Sequence, residues 1–240
     1  MRILVVNVNT TESMTDAIAA SARAVASPGT EIVGLTPTFG ADSCEGNVES
    51  YLAAIGVLDR VLKYPEPFDA VIQAGFGEHG REGLQEALDV PVVDITEAAA
   101  IMAGLLGHKF GVVTTLDRTV PLIEDRLLLA GLDRRCAAVV ASGLSVLELE
   151  QDHERTVAAI VAKAKEIVAN HGVEVICLGC GGMAGLDEAV AAATGAPVVD
   201  GVASAVTLAE SLVRMKLSTS KVRTYAPARA KRLSGWPLRS

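Results

Sequence analysis

The stretch VEVICLGCGGMAGL, residues 173–186, decides the fold. Residues 173–178 form a short apolar run rich in β-branched side chains, which reads as a buried strand. The run stops at Gly179-Cys180-Gly181-Gly182, and Met183, Leu186, Val190 and Ala193 then recur near helical spacing. Cys180 is therefore expected on a tight turn between the C-terminal end of a strand and the start of a helix. Ligands of open α/β sheets bind at that edge. Unpaired N–H groups and the helix dipole there favour negative charge, so the thiol is expected to ionise more readily than a free one. The adjacent glycines let a ligand approach the backbone. A buried structural cysteine is the competing reading. Cys177 completes a C-x-x-C with Cys180, but it falls inside the strand, and no second pair or histidine accompanies it. A zinc or disulfide-exchange role therefore finds little support.

The same unit occurs earlier in the chain. VIQAGFG at 71–77 aligns with ICLGCGG at 176–182, Pro-Val-Val-Asp follows each at 91–94 and 197–200, and ILVVN at 3–7 aligns with FGVVT at 110–114. An alanine-rich helix follows each Pro-Val-Val-Asp. Internal repetition of this kind predicts an α/β fold of two similar halves with mainly parallel sheets, related by a pseudo-twofold axis. The first half comprises 1–106 together with the tail 216–240, and the second comprises 107–215. A site between them is lined by Asn7, Asn9 and the 75–79 turn on one side, and by Thr114, Thr115 and the Cys180 turn on the other. The remaining strands are expected at 31–35, 70–73, 90–93, 136–141 and 198–200. The helices are expected at 12–25, 48–62, 81–88, 96–106, 120–130, 154–171 and 202–215. The turn-rich loop 36–47 contains Cys44 and is placed to cover the site.

The totals narrow the function. The 240 residues are 50% hydrophobic and 3% aromatic, enough for one large or two small cores. A net charge of −8 without a basic run in the body of the chain argues against a nucleic-acid partner. No apolar stretch suits a membrane span, and no signal peptide is expected ahead of the first strand. Four cysteines do not suggest a disulfide framework, and a reducing cytoplasm is the simplest setting. No nucleotide motif or spaced His/carboxylate set marks a cofactor or metal site. Two pseudo-symmetric halves can set an acid and a base on opposite faces of one carbon, which is what a racemase requires. N–H groups at both turns would then hold the enolate-like charge.

ILVVNVNTT, CEGN, GFGEHG, VVTTLDRTVPLIEDRL, LGCGGMAGL, PVVDGVASAV and TSKVRTYAPA together resemble the aspartate/glutamate/hydantoin racemase superfamily, nearest its hydantoin and allantoin racemase branch. The resemblance covers nearly the whole chain. It implies cofactor-independent racemisation at C5 of a 5-monosubstituted hydantoin or an allantoin-like cyclic ureide, a small-molecule substrate, and a homo-oligomer. The branch uses two cysteines, and the second matches Cys180. The first lies in a Cys-Phe-Gly-Asp-Pro-Gly turn, which reads here Gly75-Phe76-Gly77-Glu78-His79-Gly80.

Three readings follow. In the first, Cys180 serves one face of C5 and His79 or Glu78 the other, since histidine titrates near neutrality, or an ordered water carries the proton; a solvent-facing residue at a helix start is the competing role for His79. In the second, a single cysteine opposite a glycine performs one-sided proton delivery, as arylmalonate decarboxylases of the superfamily do, and the enzyme is a decarboxylase or isomerase of a carboxylate. In the third, the chain binds a small cyclic amide without catalysis. Under the first reading, the N–H groups of Phe76, Gly77, Gly181 and Gly182 hold the carbonyl oxygens. Asn7, Asn9, Thr114 and Thr115 orient the ring, and Phe76 and Cys44 approach the C5 substituent. Restoring the missing thiol as Gly75→Cys is expected to raise racemisation.

Overall fold

A computed structural model describes residues 1–232. The first half runs β1 (Arg2–Val6), α1 (Glu12–Val25), β2 (Glu31–Leu35), α2 (Asn47–Leu62), β3 (Ala70–Gln73), α3 (Arg81–Ala87), β4 (Val92–Asp94) and α4 (Ile95–Leu106). The second runs β5 (Phe110–Thr114), α5 (Val120–Leu129), β6 (Cys136–Ala141), α6 (His153–His171), β7 (Val175–Leu178), α7 (Asp187–Thr194), β8 (Val198–Val199) and α8 (Gly201–Arg214). They build two four-stranded sheets of the same order, β2-β1-β3-β4 and β6-β5-β7-β8, and every ladder is parallel.

Each sheet reverses its strand order between its two central strands. β1 connects outward to β2 and β3 returns to its other side; β5, β6 and β7 repeat the move. The registers match: Val6 pairs with Gln73 and Val113 with Leu178. The chain therefore leaves the sheets at equivalent points, after β1 and β3 in one half and after β5 and β7 in the other. These are the switch points where α/β sheets open a crevice for ligands.

The alanine-rich helices α4 and α8 cross between the halves. Val202, Ala205, Val206 and Ala209 of α8 share a core with Ile3, Val5 and Ile72 of the first sheet. Ala99, Ala100 and Ala103 of α4 share one with Phe110, Val112, Val175 and Cys177 of the second. A side chain on Gly201 would come within 2.7 Å of the Ile95 carbonyl oxygen, so the two helix starts meet where only hydrogen fits. Both are capped by the repeated aspartate. Asp94 accepts from Thr96 N and Glu97 N at 2.8 Å each, and Asp200 from Val202 N and Ala203 N at 2.7 and 3.0 Å.

Two of the departures from the expected boundaries have local reasons. Pro91 has no N–H to give to the ladder, so β4 begins at Val92 rather than residue 90. No helix starts at Cys180. A single 3-10 turn, Gly181–Met183, follows it, and α7 begins only at Asp187. The helix-dipole argument for that thiol therefore does not hold. The tail lies along the first half: Thr219 Oγ1 donates to Val90 O at 3.5 Å and Lys221 Nζ to Gln85 O at 2.8 Å. The rest of the predicted tail, 233–240, lies outside the described residues. Among the described residues, no helix is long and apolar enough to cross a membrane.

Candidate active site

The four strand exits open on one cleft between the halves. Asn7, Asn9, Cys44, Gly75, Phe76 and His79 line it from the first half, and Thr114, Thr115, Cys180, Gly181 and Gly182 from the second. Its lining contains no lysine or arginine.

Most of the polar lining is already committed to building the walls. Asn7 Nδ2 donates to Asn9 Oδ1 (2.8 Å), Thr15 Oγ1 (3.1 Å) and Thr11 O (3.2 Å), while its Oδ1 accepts from Val8 N (2.7 Å) and Asn9 N (3.3 Å). Asn7 is thus the knot that folds the first turn, with both its amide nitrogen and its amide oxygen engaged there. Asn9 is tied into the same knot, its Oδ1 accepting also from Thr11 N at 3.0 Å. Thr114 Oγ1 donates to Gly179 O at 3.1 Å and joins the two central strand exits of the second sheet. By contrast, the Thr115 hydroxyl and the N–H groups of Phe76 and Gly181 have no hydrogen-bond partner among the described residues. Phe76 and Gly181 are partners in the repeat, so each half offers one free N–H at the same place. Asn7→Ala is expected to lose about 2 kcal/mol of stability, the cost of leaving buried groups unmatched. Thr115→Ala is expected to reduce turnover with little change in Tm. Thermal denaturation and initial rates of the two variants separate the roles.

The other two expected N–H donors face elsewhere. Gly77 N donates to Thr96 Oγ1 at 2.8 Å, pinning the turn to α4, and Gly182 N donates to Cys180 Sγ at 3.4 Å. Glu78 does not line the cleft. Its carboxylate accepts from Arg126 Nη1 at 2.9 Å and from Gly80 N at 2.8 Å.

Cys44, His79 and Cys180 are the titratable groups of the cleft lining, and the Cys44 and Cys180 thiols lie close enough to act on one another. Cys180 is half-buried at the floor. Burial pushes its thiol up to about 11, the Gly182 N–H draws it down, and the Glu45 carboxylate adds to the rise. The expected easier ionisation is therefore reversed: one N–H and no helix do not offset desolvation. Cys44 Sγ donates to Val8 O at 3.3 Å, and burial raises its thiol to about 12.

His79 is 5% exposed, not a solvent-facing helix-start residue. Burial pushes its imidazole down to about 4, the Phe76 carbonyl draws it up, and the Arg126 charge lowers it further. Its Nδ1 is buried without a partner among the described residues. The ring occupies the space beside Gly75. A Cβ on Gly75 would run into His79 Cδ2 and lie 2.5 Å from Val8 Cγ1 and 2.8 Å from Gln73 Nε2. Gly75 does not adopt a left-handed φ, so space and not backbone conformation excludes a side chain there. The imidazole fills the volume that a thiol at 75 would need, opposite Cys180 in the repeat.

Two like α/β halves meet at one cleft whose lining holds an imidazole, thiols and backbone N–H groups without partners, which is the build of a candidate enzyme site. The chain belongs to the Asp/Glu/hydantoin racemase family, whose profile matches residues 3–209, and it is an isomerase of the racemase type. It is 37% identical over 236 residues to a hydantoin racemase of Rhizobium meliloti, with 98% of each chain covered. An allantoin racemase from Pseudomonas fluorescens of known crystal structure is 71% identical, with a TM-score of 0.97 over 98% of this chain and all 100% of that one. Arylmalonate decarboxylase shares the fold alone, at 17% identity and a TM-score of 0.60 over 89% of this chain and 92% of its own.

Arg126, whose side chain is 1% exposed, carries no motif of its own. Its signal is one of spacing: Ile123, Arg126 and Leu127 fall at i, i+3 and i+4, the spacing of a buried helical face.

Proposed function

We propose that the protein racemises an allantoin-like cyclic ureide or a 5-monosubstituted hydantoin at C5, with Cys180 and His79 as the two proton carriers. The observation that carries this reading is the placement of the His79 ring against Gly75, at the repeat partner of Cys180. The likeness to the allantoin racemase supports a ureide as substrate. The lining supports a neutral ring, because a carboxylate would find no cation in the cleft.

At neutral pH the resting site holds a thiol near 11 and an imidazole near 4, that is, an acid and an unprotonated base. The His79 imidazole takes the C5 proton from one face. The electron pair moves onto the adjacent ring carbonyl, whose oxygen accepts from the N–H groups of Phe76 and Gly181 and from the Thr115 hydroxyl. The Cys180 thiol then delivers its proton to the opposite face of C5. The site is left with imidazolium and thiolate, which is the form that converts the other enantiomer by the reverse path. Proton exchange with water resets it. The chemistry asks only for an acid, a base and fixed donors.

The test is to incubate one enantiomer of allantoin with enzyme in D₂O and follow C5–H loss by NMR together with optical rotation, against an enzyme-free control. Exchange and loss of rotation in step are expected. Exchange with rotation retained would leave one working face and remove the two-carrier reading. No rate above the control, for allantoin and for a 5-substituted hydantoin alike, would remove the substrate assignment.

A further inference from the structure

Arg126 stands on α5, directly after the Thr114–Thr119 wall, yet its guanidinium reaches across to the first half. Nη1 donates to Glu78 Oε2 (2.9 Å) and Glu82 Oε1 (2.6 Å), and Nη2 to Asp94 Oδ2 (3.0 Å) and Glu97 Oε1 (2.6 Å). Arg81 sits against the same carboxylates, 2.9 Å from Glu82, 3.4 Å from Asp94 and 2.8 Å from Glu97. Burial works against the Arg126 charge, and Asp94, Glu82 and Glu97 hold it in place.

These contacts converge on the turn that carries His79. On its C-terminal side, Glu78 links Arg126 to the N–H of Gly80 (2.8 Å), a residue at φ 89° where the chain enters α3. On its N-terminal side, Asp94 caps α4 and so fixes Thr96, whose hydroxyl accepts the N–H of Gly77. His79 lies between these two anchors, and Arg126 holds both.

We infer that Arg126 is a positioning residue: reaching from one half, it sets the angle at which His79 of the other half meets the C5 proton. The inference rests on the His79 role proposed above. It also gives Glu78 a place in the reaction that involves no contact with substrate. Glu78 is the link between the guanidinium and the turn. A misplacement on the order of 1 Å at a proton carrier costs roughly a hundredfold in rate, whereas none of the Arg126 hydrogen bonds goes to the Cys180 turn.

That asymmetry is the readout. Each enantiomer presents its C5 proton to one carrier, so deuterium exchange of the two enantiomers reports the two faces separately. Glu78→Gln keeps an acceptor for Gly80 N but gives up the ion pair, and the 45% exposure of the Glu78 side chain lets the variant fold. Arg126→Lys keeps the charge but not the fork. Both are expected to slow exchange of the enantiomer facing His79 by roughly tenfold or more, to leave the other within about twofold, and to lower racemisation through kcat with KM little changed. Circular dichroism and Tm establish that the variants are folded. If Arg126→Lys does not fold, Glu78→Gln decides alone. Equal slowing of both enantiomers, or no slowing of either, overturns the inference. His79→Asn is run beside them. If it slows neither enantiomer, the His79 role fails; if it slows one and the folded variants do not, only the part assigned to Arg126 fails.

Discussion

Cys180→Ser should lower kcat/KM for racemisation by about 10³-fold or more, the range expected when one of two proton carriers is removed. A serine hydroxyl is a far weaker acid than even a thiol raised to about 11. It can accept the hydrogen bond from Gly182 N that Sγ accepts now, so the fold should hold and Tm should move little. The loss should be one-sided. The His79 face still has its base, and the enantiomer whose C5 proton points there should continue to exchange deuterium with rotation retained. Its mirror image should stop exchanging. His79→Asn should stop exchange at the His79 face, and exchange at the Cys180 face should then rise with pH as a thiol near 11 ionises. Steady-state racemisation and enantiomer-resolved exchange of the two variants check this together. Wild-type racemisation by Cys180→Ser would mean that the proton is carried by another group, and the identity of the acid would have to be sought elsewhere in the cleft.

The fold was legible because its signals are local and repeated. Glu12–Val25, Glu31–Leu35, Ala70–Gln73 and Cys136–Ala141 fall at the residues the pattern predicted. The 106-residue spacing of Pro-Val-Val-Asp reappears as two sheets of identical order. The site was legible at the level of which turns meet, since strand exits are fixed by topology, and Cys180, Gly75, His79, Thr115 and Asn7 do line one cleft. What each polar atom does there was not legible, because that depends on three-dimensional partners. Asn7 and Asn9 look like ligands in a sequence, but their amides close a turn. Gly77 and Gly181 look alike, yet the N–H of Gly77 is taken by Thr96, a residue on a different helix. The thiol pKa failed for a related reason. The sequence pattern implied a helix start at Cys180, while the structure supplies a 3-10 turn and burial. Arg126 is the converse case, a charged residue in an apolar stripe whose four carboxylate partners lie 29 to 48 residues away in the chain.

Gly75→Cys tests the geometry most severely, because the sequence and the structure predict opposite signs. From the repeat alone, the substitution completes a pair of thiols and should raise racemisation. In the structure its Cβ runs into His79 Cδ2 and presses on Val8 and Gln73. The imidazole must leave its place, and a displaced proton carrier costs roughly a hundredfold. Gly75→Cys is therefore expected to lower racemisation by about that factor. The double variant Gly75→Cys/His79→Ala removes the obstruction and leaves a thiol opposite Cys180 at the equivalent strand exit. It should racemise at least tenfold faster than either Gly75→Cys or His79→Ala alone, a non-additivity expected only of side chains that compete for one space. Initial rates of the three variants under one set of conditions, with Tm as the check on folding, provide the measurement. If Gly75→Cys matched or exceeded the parent enzyme, the imidazole would not need that space. If the double variant were no better than His79→Ala, position 75 would not face the same carbon as Cys180, and the pseudo-twofold account of the two faces would fail with it.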